Sequence, residues 1–196
     1  TYLLVPAGLD GMETRPIGRL DGEPGFAEIF FDDCRVPVEY VLGEEGQGWS
    51  VAMAAAGSER GLNLRSPGRF MAAAERLADL ARELDAAGTP VDVRLRDEVA
   101  DAWIKAQAYR WQTYMTAAAL MQGAELGSEA SLMKVWWSEL DLELHATALR
   151  LLGERGELMI EWLDGYVFAL SGPIYAGTNE IQRNIIGERV LGLPRW

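Results

Sequence analysis

The chain has almost no sulfur–sulfur chemistry open to it, because Cys34 is its one cysteine and no intramolecular disulfide can form. Cys34 stands between Asp33 and Arg35 in a strand-like stretch with no histidine near it in sequence. That is the setting of a small packed residue, not of a nucleophile. A reducing, cytoplasmic compartment is the expectation. Histidine also occurs once, at His145, among Leu144, Ala146 and Leu149 in a helical pattern. A metal centre needs several ligands, so a packed histidine and no metal are expected. Basic residues are few: 18 Lys and Arg against 30 Asp and Glu leave a net charge of −12. Nucleic-acid binding, which needs a phosphate-neutralising basic face, is excluded. No apolar run reaches the roughly 20 residues that span a bilayer, so no membrane association is expected. No leader-like segment opens the chain, and the start at Thr1 is that of a fragment or a processed chain.

Apolar residues are plentiful, at 49%, and the seven tryptophans point to a large buried surface, part of it shared between subunits. The first 45 residues read as strands and turns. Tyr2 lies in a short apolar run, Met12 to Leu20 alternates, Asp21-Gly22 marks a turn, and Phe26 to Val36 alternates again before Pro37. These strands are too few to close a sheet alone. From Gly46 the period becomes helical. Trp49, Met53 and Ala56 open the first helix. Gly68 to Leu84 forms the second, with Pro67 either bending one long helix or separating two. Leu95, Val99, Trp103 and Ala106 begin a third, apolar over so much of its girth that it must pack on several neighbours. A fourth runs from an N-cap at Ser128 to a stop at Gly153, and the last from about Asn179 to Leu191. On a helix, adjacent residues point about 100° apart, so Trp136 and Trp137 are both buried only if two partners flank them. The predicted fold class is mainly α: residues 1–45 are part of a β-domain, and residues 46–196 form a helical bundle.

Two segments carry more than periodicity. One is Phe30-Phe31-Asp32-Asp33-Cys34-Arg35-Val36-Pro37, followed by Val41-Leu42-Gly43-Glu44-Glu45-Gly46-Gln47-Gly48-Trp49. The other runs from Tyr175-Ala176-Gly177-Thr178-Asn179-Glu180 through Ile181-Gln182-Arg183 to Gly192. In this order and at this separation they resemble acyl-CoA dehydrogenases, and the resemblance covers nearly the whole chain. It implies a four-helix-bundle C-terminal domain preceded by part of a β-barrel-like middle domain. The family's chain is roughly twice as long, so the strands that touch the isoalloxazine ring are expected to lie outside this sequence. The fragment alone is then expected to bind flavin poorly and to be inactive.

The activity implied by the resemblance is FAD-dependent α,β-dehydrogenation of an acyl-CoA substrate, with electrons passed to an electron-transfer flavoprotein. Such chemistry needs hydrogen bonds to the thioester oxygen, where enolate charge develops, and a carboxylate base in a dry pocket. In many members the base follows the motif tyrosine. Here that position is Ala176, which takes no proton, although its backbone N–H still suits the thioester oxygen. Other members carry the base on the first bundle helix. The matching stretch, Gly57-Ser58-Glu59-Arg60-Gly61, makes Glu59 the catalytic candidate and Arg60 its neighbour at the substrate, with Tyr175, Ala176 and Gly177 completing the substrate side. Read without the resemblance, Glu59 is a solvated helix charge. Thr178, Asn179 and Glu180 match the flavin-contacting stretch and equally read as a helix N-cap.

Other family features are missing. A loop bearing an arginine and a phenylalanine reads Leu84-Asp85-Ala86-Ala87-Gly88 here. A glycine-rich segment reads Arg150-Leu151-Leu152-Gly153-Glu154-Arg155-Gly156, and Glu154 would repel a pyrophosphate. Both serve a neighbouring subunit's flavin in the family. The resemblance therefore implies a hetero-oligomer with a homologous partner subunit, against the homo-oligomer alternative. Two other readings stay open: a non-catalytic scaffold subunit, and an oxidase or desulfinase on the same fold.

Overall fold

The computed structural model describes residues 1–62, 66–158 and 161–194, with the backbone alone for 56–62. Two compact units emerge, Thr1–Glu59 and Arg60–Trp196.

The first unit holds two antiparallel ribbons and a helix. Strand β1 (Tyr2–Leu3) pairs with β4 (Val41–Leu42). Strand β2 (Met12–Gly18) pairs with β3 (Pro24–Phe31) from Met12 opposite Phe31 to Gly18 opposite Pro24, with an irregularity at Ile17–Gly18. Asp21-Gly22 makes the turn, as its residue types require: Gly22 has φ 84°, and Asp21 Oδ1 accepts from the Glu23 N–H at 3.0 Å. Phe26, Ile29, Phe30 and Phe31 remain exposed on this ribbon. Helix α1 spans Gly48–Leu62.

The second unit is a bundle of α2 (Pro67–Ala86), α3 (Val93–Met121), α4 (Ala130–Leu152), α5 (Glu161–Ala169) and α6 (Asn179–Ile185). Pro67 sits in the first turn of α2, where its missing N–H costs nothing, so it starts a helix rather than bending one. Helix α2 ends in a Schellman motif: Gly88, at φ 78°, donates to Asp85 O at 3.1 Å, and Thr89 donates to Leu84 O at 2.9 Å. Asp92 caps α3 through the Arg94 N–H. Helix α4 contacts α2, α3, α5 and α6, whereas α3, the helix expected to pack on several neighbours, lies against α2 and α4 and keeps Trp103, Ile104, Trp111 and Met115 exposed. The core is built from Phe70, Leu77 and Leu84 of α2, Ala102, Ala106 and Tyr109 of α3, and Trp137, Leu140, Leu144 and Leu151 of α4. Trp137 is buried and Trp136 packs against the same cluster from its other side, edge-on to Tyr109.

Two boundaries differ from the sequence reading. Ser128 lies in the turn before α4, and Glu129 is the cap. Gly153, at φ 56°, does end that helix. The last helix changes at Ile186 into a π-helical turn, Ile186–Val190, closed by Leu191 N to Ile186 O at 3.0 Å. Helix α5 was not foreseen. It is short, and its run of Trp162, Leu163, Tyr166, Val167 and Phe168 carries no distinct helical stripe.

Candidate active site

The chain from Ala169 to Thr178 folds tightly over α4. Gly172 approaches so closely that a β-carbon there would lie 3.0 Å from Ala169 O and 3.4 Å from the side chains of Ser138 and Trp137. Tyr175 lies against Trp137, ring centroids 5.7 Å apart. Next come two consecutive left-handed residues, Ala176 at φ 56° and Gly177 at φ 86°. Alanine pays about 1–2 kcal/mol for that conformation, so the surroundings must hold it. Gln182, buried to 4% exposure, donates from Nε2 to Ala176 O at 3.1 Å and reaches Gly177 O at 3.5 Å. The Asn179 N–H donates to Pro173 O at 2.8 Å, closing the loop. Within it, Ile174 and Tyr175 both donate to Ser171 O, whereas the Ala176 N–H meets no acceptor among the described residues.

Helix α6 begins at that loop. Thr178 is its N-cap, with Oγ1 accepting from the Ile181 N–H at 3.3 Å. Glu180 is exposed. Its own backbone N–H and the Thr178 hydroxyl hold its carboxyl below the usual 4.5. Asn179 points inward, 3% exposed. Tyr175, Ala176, Gly177, Thr178, Asn179 and Glu180 are thus one continuous structure. Glu59 and Arg60 lie on the last turn of α1, and their side chains are outside the described residues.

Sequence reasoning missed the polar stripe beneath this loop. Lys134, Ser138, Asp141 and His145 recur at helical spacing on α4, and each is at most 6% exposed. Lys134 and Ser138 hold Asn179. Asp141 pairs with Arg69 of α2 at 2.7 Å, and Asp141 O accepts from His145 Nδ1 at 2.8 Å in the tautomer that protonates that nitrogen. His145 stands edge-on to Trp162 and serves packing. The signal was available: four polar residues at i, i+4, i+7 and i+11 of an otherwise apolar helix mark one buried polar edge.

A groove of about 580 Å³ lies elsewhere in the bundle, lined among others by Leu84, Ala87, Arg150, Gly153 and Arg155. It brings together the two segments that depart from the family pattern. Arg150 is already engaged there by Glu98, at 2.6 Å, and Glu154 is exposed on the turn after α4. Among the described residues, no group of three His, Cys, Asp or Glu can hold a metal, and no helix is long and apolar enough to cross a membrane.

Residues 46–191 match the family model described as "Acyl-CoA dehydrogenase, C-terminal domain". The whole chain aligns with acyl-CoA dehydrogenase IpdE1 of Mycolicibacterium smegmatis at 40% identity, covering 49% of that protein. It aligns likewise with IpdE1 of Mycobacterium tuberculosis at 37%, covering 51%. The chain therefore spans about half the length of these curated relatives. Among solved structures, the ChsE4-ChsE5 complex from Mycobacterium tuberculosis is similar over 99% of this chain and 52% of that one, with a TM-score of 0.81 and 26% identity.

Proposed function

The chain belongs to the acyl-CoA dehydrogenase family, and from that premise we propose that it serves FAD-dependent α,β-dehydrogenation of an acyl-CoA thioester. The observation that carries the reading is the loop at Ala176. It has no side-chain base, yet it offers an N–H with no acceptor among the described residues, in a left-handed turn anchored by buried hydrogen bonds. A donor fixed this way needs no reorganisation when enolate charge develops on the thioester oxygen. Glu59 takes the α-proton, because Ala176 cannot, and Arg60 supports the substrate beside it. Tyr175 and Gly177 flank the donor. The residues that would meet a flavin edge are Thr178 and the exposed Glu180, side by side at the start of α6. Bound FAD supplies the acceptor for the β-hydride. An electron-transfer flavoprotein then takes the electrons onward.

The assembly is a hetero-oligomer with a homologous partner subunit. The groove shared by Leu84–Ala87 and Arg150–Arg155 supports this, since the arginine and phenylalanine of the first segment are absent and Glu154 brings negative charge to the second. The name of the ChsE4-ChsE5 complex, which pairs two components, agrees. The test is Glu59→Gln in the full-length enzyme co-expressed with its homologous neighbour: turnover is lost while bound flavin is retained. Turnover near the parent's removes Glu59 as base. A fully flavinated oligomer of this chain alone removes the partner.

A further inference from the structure

One buried titratable group has no part in that chemistry. Lys134 is 2% exposed, and its Nζ donates to Asn179 Oδ1 at 2.7 Å. The same oxygen accepts from Ser138 Oγ at 3.1 Å, and Asn179 Nδ2 reaches Glu139 Oε1 at 3.4 Å. Both polar atoms of the buried amide are therefore held by α4. An ammonium in such a place carries a desolvation cost, and an apolar residue of similar volume is commonly no less stable there. Burial draws the Lys134 ammonium below its usual 10.5, against Glu180 and Glu139, which raise it, and with Arg183, which lowers it further. Stability of the bundle is thus a weak reason for a lysine here, whereas fixing a particular geometry is a sufficient one.

The geometry it fixes is the start of α6. The Asn179 side chain is clamped to α4, and its backbone N–H is bound to Pro173 O at 2.8 Å. Between those two residues lie Ala176 and Gly177, both left-handed, with Gln182 Nε2 donating to their carbonyls. Without the clamp at Asn179, a loop holding a strained alanine has freedom to relax toward ordinary φ, which would turn the Ala176 N–H away. We propose that Lys134 is a positioning residue: acting through Asn179, it fixes the aim of the Ala176 N–H at the thioester oxygen of the substrate. This rests on the dehydrogenase reading above.

The experiment uses the full-length, flavin-loaded enzyme with its partner, as the parent and as the Lys134→Met, Asn179→Ala and doubly substituted variants. Turnover is measured with butyryl-CoA. Binding is measured with crotonyl-CoA and with its thioether counterpart, S-crotyl-CoA, which lacks the carbonyl oxygen. The expected result is a fall in kcat of about 100-fold with much less change in KM, the size expected when a catalytic contact is misplaced by about an ångström. The preference for thioester over thioether falls about tenfold in each single variant. The double variant is no worse than either, because both act through one contact. Should Lys134→Met fail to fold, Asn179→Ala carries the same readouts with the lysine in place. Equal loss of affinity for both ligands, unchanged kcat, or additive losses overturn the proposal. A flavinated parent with no preference for the thioester overturns the dehydrogenase reading itself, before any variant is compared.

Discussion

Replacing Gly177 by alanine tests whether the loop is built as described, and Gly88→Ala is its natural control. Both glycines are left-handed, at φ 86° and φ 78°. An L-residue there costs about 1–2 kcal/mol, partly offset by about 0.4–1 kcal/mol from the lower entropy of the unfolded chain. At Gly88 that is the whole effect, because an added β-carbon meets nothing within 4 Å. At Gly177 the β-carbon would lie 2.5 Å from Gln182 Nε2. The amide must move, losing its bonds to Ala176 O and Gly177 O from a site only 4% exposed. A buried amide left without a partner costs about 1–3 kcal/mol. The expected losses are therefore about 1 kcal/mol or less for Gly88→Ala and about 2–3 kcal/mol for Gly177→Ala. Urea unfolding followed by far-ultraviolet circular dichroism reads the difference as a lower midpoint at unchanged slope. Adding Gln182→Ala to Gly177→Ala should cost little more, since the two share one contact. Turnover of the full-length enzyme should fall with Gly177→Ala and not with Gly88→Ala. Equal stability losses at the two glycines would refute the role given to Gln182.

Gly165→Ala should destabilise by about 1–3 kcal/mol, against the rise that helix propensity alone predicts, measured by the same unfolding assay. Its β-carbon would fall 2.3 Å from His145 Cδ2 and Nε2, on a ring held by Asp141 O and Trp162. Phe70→Ala, at a fully buried ring edge-on to Tyr109, should lower stability by about 3–5 kcal/mol and expose apolar surface to a hydrophobic dye. Two lysines set opposite alkaline responses. Burial lowers Lys105, but hydrogen bonds and charge from Asp101 and Glu143 outweigh it and hold the ammonium above 10.5. Its contribution is therefore present below 10.5 and lost as pH rises through the folded value. Lys134 is held below 10.5, so the folded state sheds its proton first, and stability rises with pH between its folded value and 10.5. In Lys134→Met the rise should vanish from a pH series of unfolding midpoints, while the loss above 10.5 remains.

Periodicity and turn chemistry were enough to read the elements whose causes are local. Asp21-Gly22 specified a turn because aspartate caps and glycine accepts positive φ, and Gly153 ended α4 for the same conformational reason. Thr178 read as an N-cap and is one. The motif from Tyr175 to Gly192 pointed to the family, and the missing side chain at Ala176 posed the question of the base. Helix α5 escaped because nine residues without a clear stripe are helical only through their packing on α4. The π-turn after Ile185 escaped because a single extra residue in a hydrogen-bonded ring leaves no mark on a short apolar pattern.

Tertiary structure alone decided how the loop is held. Nothing in the local sequence joins Lys134 to Asn179 or Arg69 to Asp141, separated by 45 and 72 residues. Those pairings exist because α4 lies at the centre of the bundle and turns one polar edge toward its neighbours. A one-dimensional pattern records that an edge is polar. Which groups satisfy it depends on the three-dimensional packing of helices distant in sequence.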